Sequence, residues 1–179
     1  MKNIPAFLHD RQSFYVTESS DPTPTPRSVP VKRLISPATL SDLRPGQPGD
    51  YSDHRTAVDA VEEHPHWLDG IGIHIAPPLL VIVIRYCFQP SWTLYKPIRE
   101  FMKGVAGYWE HAPLREDVWG VIWSPTPVVG TEGWFHGNRV LVFTEAHMNL
   151  TSEPFRGVTR DPGQANHERL TQLLTEIHR

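Results

Sequence analysis

The run from Leu79 to Phe88, Leu-Leu-Val-Ile-Val-Ile-Arg-Tyr-Cys-Phe, constrains this fold more than any other stretch of the chain. Its apolar residues are consecutive rather than alternate, so it reads as a central strand covered on both faces. Pro77-Pro78 stands before it and, lacking ladder donors, marks where it begins. Upstream, Ile71, Ile73 and Ile75 alternate with Gly72 and His74, the pattern of a half-buried strand. Downstream, Val118 to Trp123 is expected to form another strand, closed by the loop Ser124-Pro-Thr-Pro127. Trp134-Phe135-His136 and Arg139 to Thr144 read as a hairpin turning on Gly137-Asn138.

Helices are expected on either side of these strands. Asp53 to Glu63 presents Ala57, Val58 and Val61 on one face and is stopped by Pro65. A longer helix with Pro97 in its first turn puts Ile98, Phe101, Met102, Val105, Tyr108 and Trp109 on one stripe. Gly104 and Gly107 each weaken it by about 1 kcal/mol relative to alanine, which suggests that a neighbouring backbone comes close. The last helix is marked by Asp161 as cap, Pro162 at the first position and Gln164 at capping-box spacing, with Leu170, Leu173, Leu174 and Ile177 as its stripe. Ser36-Pro37 reads as the start of a short helix ending before Pro45. The sum is an α+β fold, a two-layer domain over residues 51–179 with helices packed on a mixed or mostly antiparallel sheet.

Proline sets residues 1–50 apart. The chain has 18 prolines in 179 residues, and eight fall in this segment, including Asp21-Pro-Thr-Pro-Thr-Pro26. Such a stretch favours extended polyproline-like geometry and cannot join a sheet interior, so an extended proline-rich N-terminal arm is expected. Ser13 to Thr17 and Val31 to Ile35 would be short edge strands within it.

A net charge of −3 supplies no long-range field for nucleic acid and argues against it as a partner. The single cysteine, Cys87, cannot form an internal disulfide and sits in the central apolar run, where a thiol is an inert small hydrophobe. That fits a reducing compartment: the cytoplasm, or a particle assembled there. The stretch Ile71 to Ile84 is interrupted by His74, Pro77 and Pro78 and is too short to span a bilayer. The apolar stretch within Met1 to Asp10 is too short for a signal peptide. A soluble protein without a membrane partner is expected.

Candidate chemistry rests on the ten histidines. Glu145 and His147, read as sharing one strand face, with His64 and His66 from the first half, would be the ligands of one divalent metal, zinc or iron or manganese. The hairpin register separates His136 from Glu145 by roughly 20 Å at ~3.3 Å per residue, so those two cannot share an ion. His64-Pro65-His66, with Tyr95 or Tyr108 downstream, resembles the His-hydrophobe-His nucleases that use a tyrosine nucleophile. It departs from them in its middle proline and in following a helix rather than occupying a strand. His147, Asn166 and His178 follow the residue order of the His-Asn-His nucleases, with a longer spacing and without a basic surface. No phosphate-binding glycine loop and no G-x-S-x-G elbow is present.

The six tryptophans all lie between Trp67 and Trp134, more indole than a domain of this size buries completely. Trp92 and Trp134, next to loops, are the expected interface residues, together with Pro22, Pro24 and Pro26 of the arm. The order strand, helix, strand, hairpin resembles that of phage tail-terminator and connector proteins, in element order alone. The reading is a non-enzymatic structural or interaction subunit of a larger assembly, a virion component by that analogy, without a cofactor and with protein partners in a homo- or hetero-oligomer. The alternatives are the metal-dependent hydrolase or nuclease just described and a small inhibitor or immunity-type protein.

Overall fold

The computed structural model describes residues 4–9, 11–19, 32–105, 107–112, 116–124, 127–150 and 166–177. The elements in chain order are α1 (Ala6–His9), β1 (Phe14–Ser19), β2 (Lys32–Ile35), α2 (His54–Glu63), β3 (Leu68–Ile75), β4 (Leu79–Ile84), α3 (Lys96–Gly104), β5 (Tyr108–His111), β6 (Val118–Trp123), β7 (Thr131–Phe135), β8 (Asn138–Phe143), β9 (Ala146–Leu150) and α4 (Asn166–Ile177). The fold is α+β with two antiparallel sheets, ordered β2-β1-β3-β9 and β5-β6-β4-β8-β7. Two compact units result. One takes residues 8–74 and 147–150; the other takes 75–146 with both ends of the described chain.

In the first unit β1 is an inner strand, bonded to β2 through Val16↔Ile35 and to β3 through Phe14↔Ile73 and Val16↔Ile71. The sequence leads one to expect an edge strand here. Instead Phe14, Tyr15, Val16 and Thr17 are all buried, because both faces are covered. On one face Phe14 meets His54 of α2 edge-on at 5.1 Å. On the other, Gly70 and Gly72 of β3 lie opposite Thr17 and Tyr15 and leave space for those side chains. Asp53 caps α2, its Oδ1 accepting the Thr56 N–H at 2.8 Å, a contact type worth about 1 kcal/mol. The helix expected after Ser36-Pro37 is one turn only. Leu40 donates to Ser36 O and then enters the left-handed region (φ 54), which ends the coil.

The second unit has β4 at its centre, hydrogen-bonded to β6 and β8. Leu80, Ile82 and Ile84 face Ile98, Phe101 and Met102 of α3 and Leu170, Leu173 and Ile177 of α4 in one core. Each such side chain contributes roughly 1.5–3 kcal/mol on burial. The helix read from Pro97 to Glu110 stops at Gly104. Val105 is already extended (φ −111), and Tyr108 and Trp109 belong to β5. Gly107 permits the close approach that follows: a β-carbon there would collide with the Val121 carbonyl and Ile122 of β6.

The β7–β8 hairpin turns one residue earlier than expected, on His136-Gly137. Both have positive φ (48 and 77), the primed geometry that matches strand twist, and Asn138 pairs with Phe135. Opposite Val140, Gly133 lies against the Ile177 backbone carbonyl of α4. The stretch 20–31, with Pro22, Pro24 and Pro26, and the expected cap at Asp161 lie outside the described residues.

Candidate functional site

The densest grouping of chemically able side chains forms in the first unit, on the sheet face opposite α2. Residue 51 is placed by two devices. Arg44 grips Asp50 with Nε to Oδ2 at 3.0 Å, Nη2 to Oδ1 at 3.0 Å and its own N–H to Oδ2 at 2.9 Å. Ser52 is then zipped to Phe14 by backbone bonds in both directions. Paired cation and hydrogen bonds hold the Asp50 carboxyl below its ordinary value of 3.8. Tyr51 is therefore delivered to the face that carries Tyr15.

Tyr51 Oη lies 2.9 Å from His147 Nε2, a hydrogen bond in which the imidazole tautomer sets the donor. His74, from β3, stacks on Tyr51 at 4.9 Å and on His147 at 4.7 Å. Tyr15 approaches His147 at 5.5 Å and its hydroxyl donates to Asn149 Oδ1 at 3.1 Å. Burial, then the neighbouring Tyr51, push the Tyr15 phenol well above its ordinary value, so it remains a donor at neutral pH. Tyr15 and Tyr51 are buried while His74 and His147 are half-buried, so the imidazoles form the accessible side of the cluster. Chemically this is a phenol–imidazole pair with a second imidazole stacked on it: groups that hydrogen-bond a polar ligand or pass a proton between them.

The other expected metal ligands do not join it. Glu145 lies in the bend between β8 and β9, not on the strand with His147. His64 and His66 sit just beyond α2 with ring centroids 6.3 Å apart, His64 also 5.9 Å from Trp67. Among the described residues no three His, Cys, Asp or Glu side chains converge on a metal-sized site. Tyr15, Tyr51 and His74 were not singled out from sequence as partners of His147. The usable signal was Gly70-Ile-Gly-Ile-His74: two glycines on one strand face announce bulky side chains on the neighbouring strand.

A second feature belongs to the other unit. Residues 86–95 form a loop closed on itself: Gln89 N–H donates to Thr93 O at 2.8 Å, Trp92 N–H to Gln89 O at 2.8 Å, and Tyr95 N–H to Cys87 O at 3.0 Å. Its rings face outward. Tyr86 is 67% exposed and Trp92 64%, and both are held at positive φ (55 and 59). Trp92 leans on Phe88 and His111 at centroid distances of 6.3 and 6.5 Å. Trp134, on β7, is 66% exposed. Beneath the loop, Cys87 is fully buried with its thiol pushed up to about 12, first by desolvation, which leaves it no nucleophile. Nearby in β5 the buried Glu110 accepts a hydrogen bond from the Tyr108 hydroxyl.

No protein-family model matches the chain, and a search of curated proteins finds no match.

Proposed function

We propose that this chain is a non-enzymatic interaction subunit that docks on a protein partner through the aromatic rings of its second unit. The observation that carries the reading is the 86–95 loop. It displays two large rings from backbone positions in the left-handed region, at a cost of order 1 kcal/mol each. Hydrogen bonds across the loop hold that geometry in advance of contact. Pre-organised, exposed indole and phenol rings are what binding hot spots are made of, because little side-chain freedom is lost on association. In this reading the stretch Asp21 to Pro26 supplies a second docking element within a larger assembly.

Native mass spectrometry of the untagged chain over a concentration series tests self-association. A photo-crosslinking residue at the exposed position 91, beside the Trp92 indole, tests for a different partner. The reading requires a defined oligomer or one crosslinked partner, lost when Trp134 is changed to alanine or residues 21–26 to a glycine-serine linker. A monomer at all concentrations that crosslinks to nothing ends it.

A second reading is favoured by the 2.9 Å contact between Tyr51 and His147. A hydroxyl within hydrogen-bond reach of an imidazole is the minimal arrangement of a nucleophile with its general base, which keeps a hydrolase or nuclease in view. A phosphodiester hydrolysis assay of the full chain, with and without added zinc or manganese, separates the two. Turnover abolished by both Tyr51→Phe and His147→Gln, with thermal unfolding unchanged, would favour the enzyme.

A further inference from the structure

Arg85 follows the last residue of β4, and Arg139 is the second residue of β8. Their backbones are joined, Arg85 N–H donating to Arg139 O at 2.9 Å. The register Ile84↔Val140 carries Arg85 to the position directly opposite Arg139. Ile84 and Val140 turn into the core beneath α3 and α4, so by alternation both arginines belong to the other face. Like charges directly opposed on one sheet face weaken the pairing, so some local compensation is called for.

Neither nearby carboxylate forms an ion pair with Arg85 among the described residues. Asp117 lies opposite Arg85 from the β6 side, following Ile84↔Val118, but its Oδ1 accepts the Tyr86 N–H at 3.0 Å. Glu132 is taken by Arg139, Oε2 to Nη2 at 2.7 Å. Among the described residues Arg85 Nε is buried with no hydrogen-bond partner. On the far side of Arg139 stands Trp134, its direct cross-strand neighbour on the same face. Arg85, Arg139 and Trp134 therefore form one row across three strands, half-buried at one end and open at the other.

We propose that Arg85 and Arg139 form a binding site for an oxyanion, a phosphate or carboxylate group. The chemistry follows from the guanidinium, a planar fork of donors that matches two oxygens of one such group. An oxyanion drawn to the two forks has to displace the side-chain atoms that cover Arg85 Nε, and in doing so gives it its missing acceptor and offsets the opposed charges. Glu132 occupies part of the same ground and is the built-in competitor. The indole of Trp134 supplies a flat wall on which the remainder of a ligand can lie. The site does not depend on the protein-docking reading, since it makes the same demand of a free anion.

The test is isothermal titration of the full chain with inorganic phosphate, and separately with acetate, at low ionic strength. The expected result is one saturable phosphate site, weakened about tenfold or more by Arg85→Gln and partly retained in Arg85→Lys. Glu132→Gln should tighten it by removing the competitor. A stronger response to phosphate than to acetate assigns the site to phosphoryl groups, and equal responses assign it to oxyanions generally. If Arg85→Gln fails to unfold cooperatively at the wild-type midpoint, Arg139→Gln carries the same expectation. Absence of saturable binding to either anion, unchanged affinity in the arginine variants, or weaker binding in Glu132→Gln overturns the proposal.

Discussion

The ring of Tyr15 lies across the bare backbone of Gly72, its partner in the β1–β3 ladder, and fills the space a β-carbon would need. The ring is 1% exposed and its hydroxyl is tied to Asn149, so it has nowhere to retreat. Gly72→Ala should therefore destabilise the protein by about 1–3 kcal/mol, the usual penalty for overpacking. Urea unfolding measures it. Tyr15→Ala in the Gly72→Ala background should recover part of the loss attributable to the clash, giving a double-mutant cycle that is clearly non-additive.

Trp92 offers a separation of stability from recognition. Its left-handed backbone suits glycine, so Trp92→Gly should be more stable than Trp92→Ala by about 1 kcal/mol. Both variants lose the indole, and on the docking reading both lose the partner equally. Thermal unfolding and a crosslinking assay on the same two proteins check the pair of expectations.

His54 gives the first unit a dependence on pH. It is buried, stacked on His9 at 5.0 Å, and its Nε2 has no hydrogen-bond partner among the described residues. Desolvation first, then the neighbouring His9, hold it below its ordinary 6.5. A lowered folded value means that the unfolded chain takes up the proton more readily. Stability should therefore fall as pH drops below 6.5, through the window down to the folded value, and be insensitive to this group above it. Denaturant midpoints across about pH 5 to 8 should show the slope, and His54→Phe should flatten it.

Cys87 serves as a reporter of opening in the second unit. With a buried thiol at about 12, an aromatic disulfide reagent should leave the native protein unlabelled at neutral pH and modify it stoichiometrically in denaturant. Rapid labelling of the native state would mean that the end of β4 opens far more often than its packing implies.

Much of this architecture was legible from local pattern. The centrality of β4 follows from unbroken apolarity, and α2 from Asp53 and Pro65 at its two ends. The extent of α3 was not legible. Phe101, Met102, Val105, Tyr108 and Trp109 fit a helical stripe, but the last two answer to β6. Trp109 sits against Gly120, and that pairing is invisible in the local sequence. The Tyr–His cluster was hidden for the same reason. Tyr15, Tyr51, His74 and His147 stand far apart in the chain, and only the order β1-β3-β9 brings three of them onto one face. Removing the first 30 residues would take away β1, an inner strand, so replacement within 21–26 is the cleaner perturbation.

The chain leaves its first unit at residue 74, returns to it for residues 147–150, and leaves again. Neither unit is thus a continuous passage of the polypeptide. A gene encoding such a protein cannot be trimmed from either end, or split at one junction, to yield a complete half. A stop placed after β8 strips the first sheet of β9, and a start placed at β4 strands β9 without its partner β3. Any rearrangement that moves the first unit as one unbroken segment has to carry residues 75–146 of the second with it.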